Sequence, residues 1–498
     1  MNILLLLLII PALTIGGLLL SKGKQMPRLV AAVGMGLQFV ASCYLVLAYL
    51  QERAKGNTEE MLFTSSYNWF SSLNISLDLG VDGVSAAMIL LTAIVILAGV
   101  FISWKVEDLA KEFFVSLIAL GTGVFGFFIS IDLFSMFLFY ELAVIPMYLL
   151  IGIWGSGPRE YAAMKLTLML MAGSAFLLVG LLGLYFYSSD AADQHTFNIL
   201  EIARSGIPIE AQRLFFPLTF VGFGVLGALF PFHTWSPDGH ASAPTAVSML
   251  HAGVLMKLGG YGCFRVAVFL MPDAASEMAW FFIILTGFSV IYGAFGAIRQ
   301  TDLKYINAYS SVSHCGLVLF AILMLNKTAL TGAVLQMISH GLMTALFFAL
   351  IGMLYERTHT RIVQEMGGLL KVLPFISAVY VIAGLASLGL PGLSGFVAEL
   401  SIFVGAFEHN DVFHRVWTIL AVSAIVVTAV YILRVVGVML MGPIKEPSYA
   451  ALPGAFWYEK AGALLLILPI AGMGLLPLWL SDMIQFSLVP LLRALGVG

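Results

Sequence analysis

Several ionisable side chains lie deep inside long apolar runs of this sequence, where a charge is costly. A charged residue at the centre of a membrane-spanning helix costs about 2.5–3.5 kcal/mol on insertion scales, so such residues usually have a function. The protonation state of a buried carboxyl, amine or imidazole group depends on the charges beside it. A row of such groups is therefore typical of a proton relay. The candidates for its catalytic groups are Glu141, Lys165, Lys257, His314, His340 and Glu399.

The position of each candidate within its apolar run decides how strongly it indicates a relay. Glu141, Lys257 and Glu399 lie far from the ends of their runs, and the two histidines are central in consecutive runs. Lys165 lies near the start of its run, so its long side chain could reach the membrane surface instead. Structural alternatives stay open: a permanently protonated glutamate, a lysine locked in an ion pair, or histidines that only pack in the interior.

The composition excludes most other classes of protein. Of 498 residues, 60% are apolar and 10% are charged, and the formal net charge is −3. The mean hydropathy is +1.00. Soluble domains contain roughly 45–50% apolar and about 25% charged residues, so a soluble enzyme, a disordered chain and a nucleic-acid binder are excluded. Cys43, Cys263 and Cys315 lie far apart without a Cys-x-x-Cys pair, which argues against a disulfide framework, a zinc site or an iron–sulfur ligand set.

The apolar runs predict an all-α polytopic membrane protein. A membrane-spanning helix needs about 20 mostly apolar residues, and about fourteen such runs can be counted. The distribution of Lys and Arg between the loops favours both termini outside. The alternating segment 67–79 could form a small external hairpin. The predicted divisions are 1–111 (three helices and an external loop), 112–271 and 272–441 (two repeats), and 442–498 (a C-terminal helix).

Two of the runs contain helix-breaking residues at corresponding places. Pro231 and Pro237 interrupt the seventh run, and Pro391, flanked by glycines, interrupts the twelfth. Proline removes a backbone donor and collides with the preceding helical turn. Broken helices at matching places in two halves are typical of transporters that are built from inverted repeats, which predicts two inverted five-helix repeats, each with a broken helix. The alternative is that the prolines mark ordinary helix ends.

Several stretches of the chain resemble one family, the proton-translocating antiporter-like membrane subunits of respiratory complex I. The chain is most similar to subunit M, also called chain 4. The resemblance covers most of residues 80–440. The motifs that carry it lie at 231–238, 243–246, 252–257, 302–304, 308–314, 336–341, 352–361 and 389–396.

The resemblance implies a fold, a function and a set of partners. The family fold also has two inverted five-helix repeats, and the six candidates above match the family's polar axis for protons. The chain would be a non-redox subunit of a proton-translocating NADH (or ferredoxin):quinone oxidoreductase, with no cofactor or metal of its own. Partner subunits would hold FMN, iron–sulfur clusters and quinone, beside sister subunits L and N. The expected location is the inner (plasma) membrane of a bacterial cell.

One position departs from the family pattern. The family carries a lysine in the seventh helix, five residues before the first proline of the break, and this sequence has Leu226 there. In the family that lysine pairs with the acid found here as Glu141, so the resemblance implies an altered first half unless Lys165 substitutes. Two other functions stay open, namely a subunit of a multi-subunit cation/proton antiporter and a subunit of an energy-converting membrane hydrogenase.

Overall fold

The computed structural model describes residues 2–189 and 194–497 as a bundle of apolar helices. Twelve of the helices in these ranges are long and apolar enough to cross a membrane. Two shorter apolar helices, Pro374–Ser387 and Ser394–Phe407, lie on either side of the predicted second break. The prediction of an all-α polytopic membrane protein is therefore confirmed, while the inverted relation between the repeats stays a prediction.

The elements follow each other in a simple order. The first half contains α1 (Ile3–Leu20), α2 (Met26–Ala54), β1 (Leu62–Phe70), β2 (Ile75–Val81), α3 (Gly83–Ile102), α4 (Ala110–Ile129), α5 (Leu133–Trp154), α6 (Arg159–Phe186), α7 (Ile199–Ser205), α8 (Ile209–Leu226), α9 (Trp235–Ser242), α10 (Thr245–Leu250) and α11 (Met256–Gly262). The second half contains α12 (Pro272–Arg299), α13 (Leu303–Ile322), α14 (Lys327–Thr358), α15 (Leu369–Val372), α16 (Pro374–Ser387), α17 (Ser394–Phe407), α18 (Val412–Val435), α19 (Trp457–Leu475) and α20 (Leu478–Ala494). Short 3₁₀ turns occupy Ser71–Leu73, Val363–Glu365 and Pro447–Ala451, and π-helical segments occupy His251–Leu255, Cys263–Val268 and Val436–Leu440.

The predicted hairpin is present and is longer than the sequence pattern suggested, while its external location stays a prediction. β1 and β2 pair in antiparallel register, with Leu62 opposite Val81 and Tyr67 opposite Leu77. Directly after β2, the side chain of Asp82 accepts a hydrogen bond from the backbone of Ser85 and caps the start of α3. The hairpin is thereby joined to the helical bundle by a short, capped connection.

Both predicted helix breaks are present. α8 ends at Leu226, and the chain is not α-helical again until Trp235. Pro237 then lies in the first turn of α9, where a missing backbone N–H leaves no helical hydrogen bond unmade. In the second break, α16 ends at Ser387, α17 begins at Ser394, and Gly389 adopts a left-handed φ of 61°. Pro231 and Pro391 therefore lie in the non-helical segments of the two breaks, whereas Pro237 lies at an ordinary helix start.

Two details differ from the sequence-based expectation. The run 245–271 is not one regular α-helix, because π-helical segments alternate with α10 and α11 within it. This interruption and the second break explain why twelve long helices are found and about fourteen runs were predicted. The C-terminal segment 442–498, for which one helix was predicted, contains α19 and α20, and Pro477 lies between them.

The helix α14 lies at the centre of the bundle. It is 32 residues long, and its apolar window is completely buried. It packs against α3, α10, α13, α17 and α19. Glycines allow the closest approaches, since a Cβ on Gly332 would lie 2.6 Å from the backbone nitrogen of Ile402 in α17. α14 therefore presents its polar side chains to several partner helices at once.

Candidate functional site

Lys257 lies in the most irregular part of the bundle. It is in α11, which has a π-helical segment on each side, and its side chain is 1% exposed. Its ammonium group donates a hydrogen bond to the carbonyl oxygen of Ala252, which lies in the preceding π-helical segment. Single π-helical turns within helices are rare and occur frequently at functional sites. The local backbone thus gives the buried amine a carbonyl partner without neutralising its charge.

His340 of α14 is the next group along the candidate relay. Its Nδ1 lies 2.8 Å from Nζ of Lys257. A lysine ammonium can only donate, so Nδ1 accepts this hydrogen bond and the ring proton is carried by Nε2. Nε2 is buried and has no hydrogen-bond partner among the described residues. The lysine proton therefore points directly at an imidazole nitrogen that can receive it.

His314 of α13 lies beside His340. The two rings are stacked, with their centroids 5.2 Å apart. His314 Nδ1 lies 3.0 Å from the amide nitrogen of Gln336, and His314 Nε2 lies 3.4 Å from the hydroxyl oxygen of Ser387. No direct hydrogen bond joins the two rings among the described residues, so proton transfer between them needs a ring rotation or a bridging water.

Glu399 of α17 ends this row of groups. Its Oε1 lies 3.6 Å from Nδ1 of His314, and the glutamate is only 6% exposed. Its other oxygen faces the second helix break, because a Cβ on Gly389 would lie 2.7 Å from Oε2. The break therefore brings the backbone of Gly389 close to the carboxyl group. Lys257, His340, His314 and Glu399 form a buried row with an amine at one end and an acid at the other.

Lys165 is not part of this row. Its Nζ forms an ion pair of 2.7 Å with Oδ2 of Asp238 in α9. The other oxygen of Asp238 accepts a hydrogen bond of 3.3 Å from the hydroxyl group of Tyr305. Both charged side chains are about a quarter exposed. Lys165 is therefore paired with Asp238 and not with Glu141 among the described residues.

Glu141 has no basic partner. It is half-buried in α5, and no ion pair joins it within residues 2–189 and 194–497. Its Oε1 is buried without a hydrogen bond in the described part of the chain, and the polar group that acts on its carboxyl is Ser174 of α6. Leu226, at the end of α8, is completely buried. The structure thus brings four of the six candidates together and leaves Glu141 and Lys165 outside the row.

Buried polar residues also occur outside the predicted catalytic groups, and three of them are a lysine and two histidines near the first break. Lys304 is 6% exposed, and its Nζ donates a hydrogen bond of 2.6 Å to the carbonyl oxygen of Ala243. The rings of His240 and His251 lie 4.3 Å apart, and none of their four nitrogens has a hydrogen-bond partner among the described residues. Buried polar atoms of this kind usually contact ordered water. Lys304 lies at the start of its apolar run, where the sequence pattern predicts a position near the membrane surface and not a buried one.

Comparison with known proteins identifies the family. Residues 130–428 match the family described as "NADH:quinone oxidoreductase/Mrp antiporter, TM". The chain is 38% identical over 444 residues to NAD(P)H-quinone oxidoreductase chain 4 3 of Picosynechococcus sp., an alignment that covers 87% of this chain and 79% of that protein. It is 33% identical over 473 residues to NADH-quinone oxidoreductase subunit M of Rickettsia prowazekii, which covers 95% of this chain and 94% of the relative.

A solved structure has the same fold over the whole chain. A chain in the structure of respiratory complex I from Thermus thermophilus with bound NADH superposes with a TM-score of 0.89 and 25% sequence identity. The match covers 99% of this chain and 100% of that chain. The helix breaks and the buried row described above therefore lie in a fold that occurs in a known respiratory complex.

Proposed function

The chain belongs to the NADH:quinone oxidoreductase/Mrp antiporter transmembrane family, and we propose that it moves protons across the membrane as a subunit of a complex I-type enzyme. Its relatives are subunit M and chain 4 proteins of quinone oxidoreductases. The chain is accordingly a multi-pass membrane protein, and its bacterial relatives place it in the inner membrane of a bacterial cell.

A single observation carries the proposal of proton movement. The 2.8 Å contact between Lys257 and His340 and the 3.6 Å contact between His314 and Glu399 place an amine and an acid at the two ends of a stacked imidazole pair. Each of these groups can exist with or without its proton, and burial makes the balance sensitive to nearby charge. A change of charge beside Lys257 would release its proton to His340, and transfer would continue towards Glu399.

The row lies entirely in the helices from α11 onwards, and we propose that proton transfer in this chain is concentrated there. Among the described residues Glu141 lacks a basic partner, and the position at which the resemblance implies a seventh-helix lysine is occupied by the buried side chain of Leu226. Lys165 is held by Asp238. Transfer through the first half would therefore use an altered route, for which the unpaired rings of His240 and His251 are the available polar groups.

The redox chemistry of the complex is assigned to partner subunits in this proposal. The chain supplies three cysteines, Cys43, Cys263 and Cys315, and they are free. Iron–sulfur clusters are generally held by four cysteine thiolates, so these side chains do not suit a cluster. FMN, iron–sulfur clusters and quinone would therefore be bound by other subunits. The expected membrane partners include the sister antiporter-like subunits L and N.

The family description also names an antiporter, which supports a second candidate function. In that case the chain would exchange cations for protons without a redox partner. A subunit of an energy-converting membrane hydrogenase is a third candidate with the same relay. The sequence identities of 38% and 33% to the chain 4 and subunit M relatives favour the quinone oxidoreductase.

The partners of the chain test the proposal directly. The native membrane would be extracted in mild detergent, the chain purified by a C-terminal tag, and the co-purifying proteins identified by mass spectrometry. Flavin and iron–sulfur subunits together with sister antiporter-like chains are the expected result. Nickel–iron hydrogenase subunits would indicate the third candidate. Small membrane subunits alone would indicate a secondary antiporter and contradict the assignment to an oxidoreductase.

A further inference from the structure

The loop after α17 and the first turn of α18 carry a second cluster of titratable side chains, apart from the relay. His409, Asp411 and His414 each offer a ligand atom, and these atoms lie within 4.8 Å of one another. We propose that this cluster binds a divalent transition-metal ion of the Zn²⁺ type. Two imidazole nitrogens and one carboxylate oxygen suit Zn²⁺ and its neighbours, whereas Mg²⁺ and Ca²⁺ prefer oxygen ligands only.

His409 is held in the tautomer that a metal site requires. Its Nε2 lies 2.8 Å from the carbonyl oxygen of Met324. A carbonyl oxygen can only accept a hydrogen bond, so Nε2 carries the ring proton and donates a hydrogen bond to the carbonyl oxygen of Met324. In the neutral ring, Nδ1 then keeps a free lone pair. Metal-binding histidines usually donate their other ring N–H to a backbone carbonyl or a carboxylate in this way.

Asp411 and His414 are fixed relative to each other by the start of α18. One oxygen of Asp411 accepts a hydrogen bond of 3.0 Å from the backbone nitrogen of His414, and the other lies 2.7 Å from its Nδ1. The ring of His414 is stacked on that of His409, with centroids 4.2 Å apart and an angle of 13° between the planes. Asp411 is exposed, so an ion can enter from water. Three protein ligands leave a fourth position for water, as in open zinc sites.

The surrounding backbone keeps the cluster in place. Asn326 caps α14 by accepting a hydrogen bond from the backbone of Ala329, and its amide group donates a hydrogen bond of 2.7 Å to the carbonyl oxygen of Gly405. The end of α17 is therefore tied to the start of α14. The histidine next to this junction belongs to a packed, hydrogen-bonded corner of the bundle. Ligands that are held by such contacts lose little freedom when an ion binds.

An ion in this cluster would join the end of α17 to the start of α18 and, through His409 and Met324, to the end of α13. α13 carries His314, and α17 carries Glu399. Occupation would therefore restrain two helices of the relay. This consequence for transport rests on the proposed function, whereas binding of the ion does not.

Binding can be measured on the intact purified complex with Co²⁺ as the probe. Equilibrium dialysis followed by elemental analysis gives the amount of Co²⁺ bound to the complex, and competition with Zn²⁺ gives the relative affinity. The wild-type complex is compared with the His409→Ala/His414→Ala double variant. His359→Ala is the matched control, because His359 is exposed in another loop. We expect the double variant to bind about tenfold more weakly or not at all, and the control to bind as the wild type does.

Two outcomes would overturn the proposal. Equal Co²⁺ binding by the wild type and the double variant would show that the cluster is not a site. An equal loss in His359→Ala would show that the ion binds histidines without selection. If the double variant does not assemble, Asp411→Asn decides the question. It keeps an oxygen that can cap α18 and removes the charged ligand, so unchanged binding in this variant would also contradict the site.

Discussion

Nδ1 of His314 and Oε1 of Glu399 lie 3.6 Å apart in the interior of the helical bundle, slightly beyond hydrogen-bond distance, and no other acid or base pairs with Glu399 among the described residues. The pair joins α13 to α17 directly beside the second helix break. On the other side of His314, the stacked ring of His340 leads to Lys257. An acid and an amine are thus connected through two imidazole rings, and each prediction on transport below depends on this connection.

The amine of Lys257 must lose its proton during transport. Arginine keeps a positive charge at this position and does not release its proton in proteins. We therefore expect Lys257→Arg to assemble and to lose most NADH-driven proton uptake by membrane vesicles. Lys55→Arg, on an exposed lysine, is the control. Uptake at the wild-type level in Lys257→Arg would show that a fixed charge is sufficient and that this lysine does not transfer protons.

In the part of the chain that the structure describes, Glu141 has no basic partner, so its contribution to proton transfer should be smaller than that of Glu399. We expect Glu141→Gln to decrease proton uptake clearly less than Glu399→Gln does, when both are measured per NADH oxidised. The difference should shrink in the Leu226→Lys background, because a buried lysine at that position would give Glu141 a partner by family analogy. Equal losses in the two single variants would contradict a relay that is concentrated in the second half.

Asp132 gives the fold a pH dependence that can be measured separately from transport. It lies between α4 and α5 and is 1% exposed. Burial and the nearby charge of Asp78 raise the pKa of Asp132 to about 7, although hydrogen bonds from Ser135 oppose the shift. The unfolded chain has a pKa of about 3.9 at this residue. Between these values the folded state binds more protons, so stability decreases as the pH rises.

The difference in the pKa of Asp132 between the folded and the unfolded chain sets how strongly the free energy of unfolding depends on pH. The contribution of Asp132 is fully present below about pH 4 and is lost as the pH rises through about 7, with a slope of up to about 1.4 kcal/mol per pH unit. Asp132→Asn keeps the oxygen that caps α5 and cannot ionise. We expect thermal stability to depend less on pH between 5 and 7 in this variant than in the wild type, with Asp108→Asn as an exposed control. Identical pH profiles in all three proteins would disprove the shift.

Arg357 in α14 and Glu459 in α19 form a buried ion pair, which should contribute most of the stability of the contact between these two helices. Arg357 donates hydrogen bonds of 2.9 and 2.7 Å to the two oxygens of Glu459, and both side chains are at most 3% exposed. Removing one partner of a buried pair leaves an uncompensated charge and costs about 3–5 kcal/mol. We therefore expect Arg357→Ala to lower the free energy of unfolding by roughly this amount, as a lower thermal midpoint in detergent.

The exposed pair of Arg213 and Glu277 is a matched control for this prediction. It has the same two-fold arginine–glutamate geometry between helices, but its side chains are about half exposed. Exposed pairs contribute about 0–1 kcal/mol. Arg213→Ala should therefore change the midpoint little. A loss in Arg213→Ala as large as in Arg357→Ala would show that burial does not decide the strength of these pairs.

Much of the architecture could be predicted because the bilayer restricts what a sequence can form. The apolar runs identified the helices, and Pro231 and Pro391 identified the breaks. The partner of Lys165 could not be predicted. Lys165 and Asp238 are 73 positions apart, and their contact depends on how α6 packs against α9. The π-helical segments beside Lys257 were also missed, because their residues are as apolar as those of a regular helix.

Glu399→Gln, examined in the intact complex, tests the relay most directly. Glutamine has nearly the same shape as glutamate but cannot hold and release a proton. Proton uptake and NADH oxidation would be measured together in membrane vesicles, with assembly checked by co-purification of the partner subunits. The relay predicts that the variant assembles and that its proton uptake per NADH oxidised falls. The fall should be large, because a general acid–base group raises the rate of the step it serves by at least about 100-fold. An unchanged ratio of protons to NADH in the assembled variant would contradict the relay.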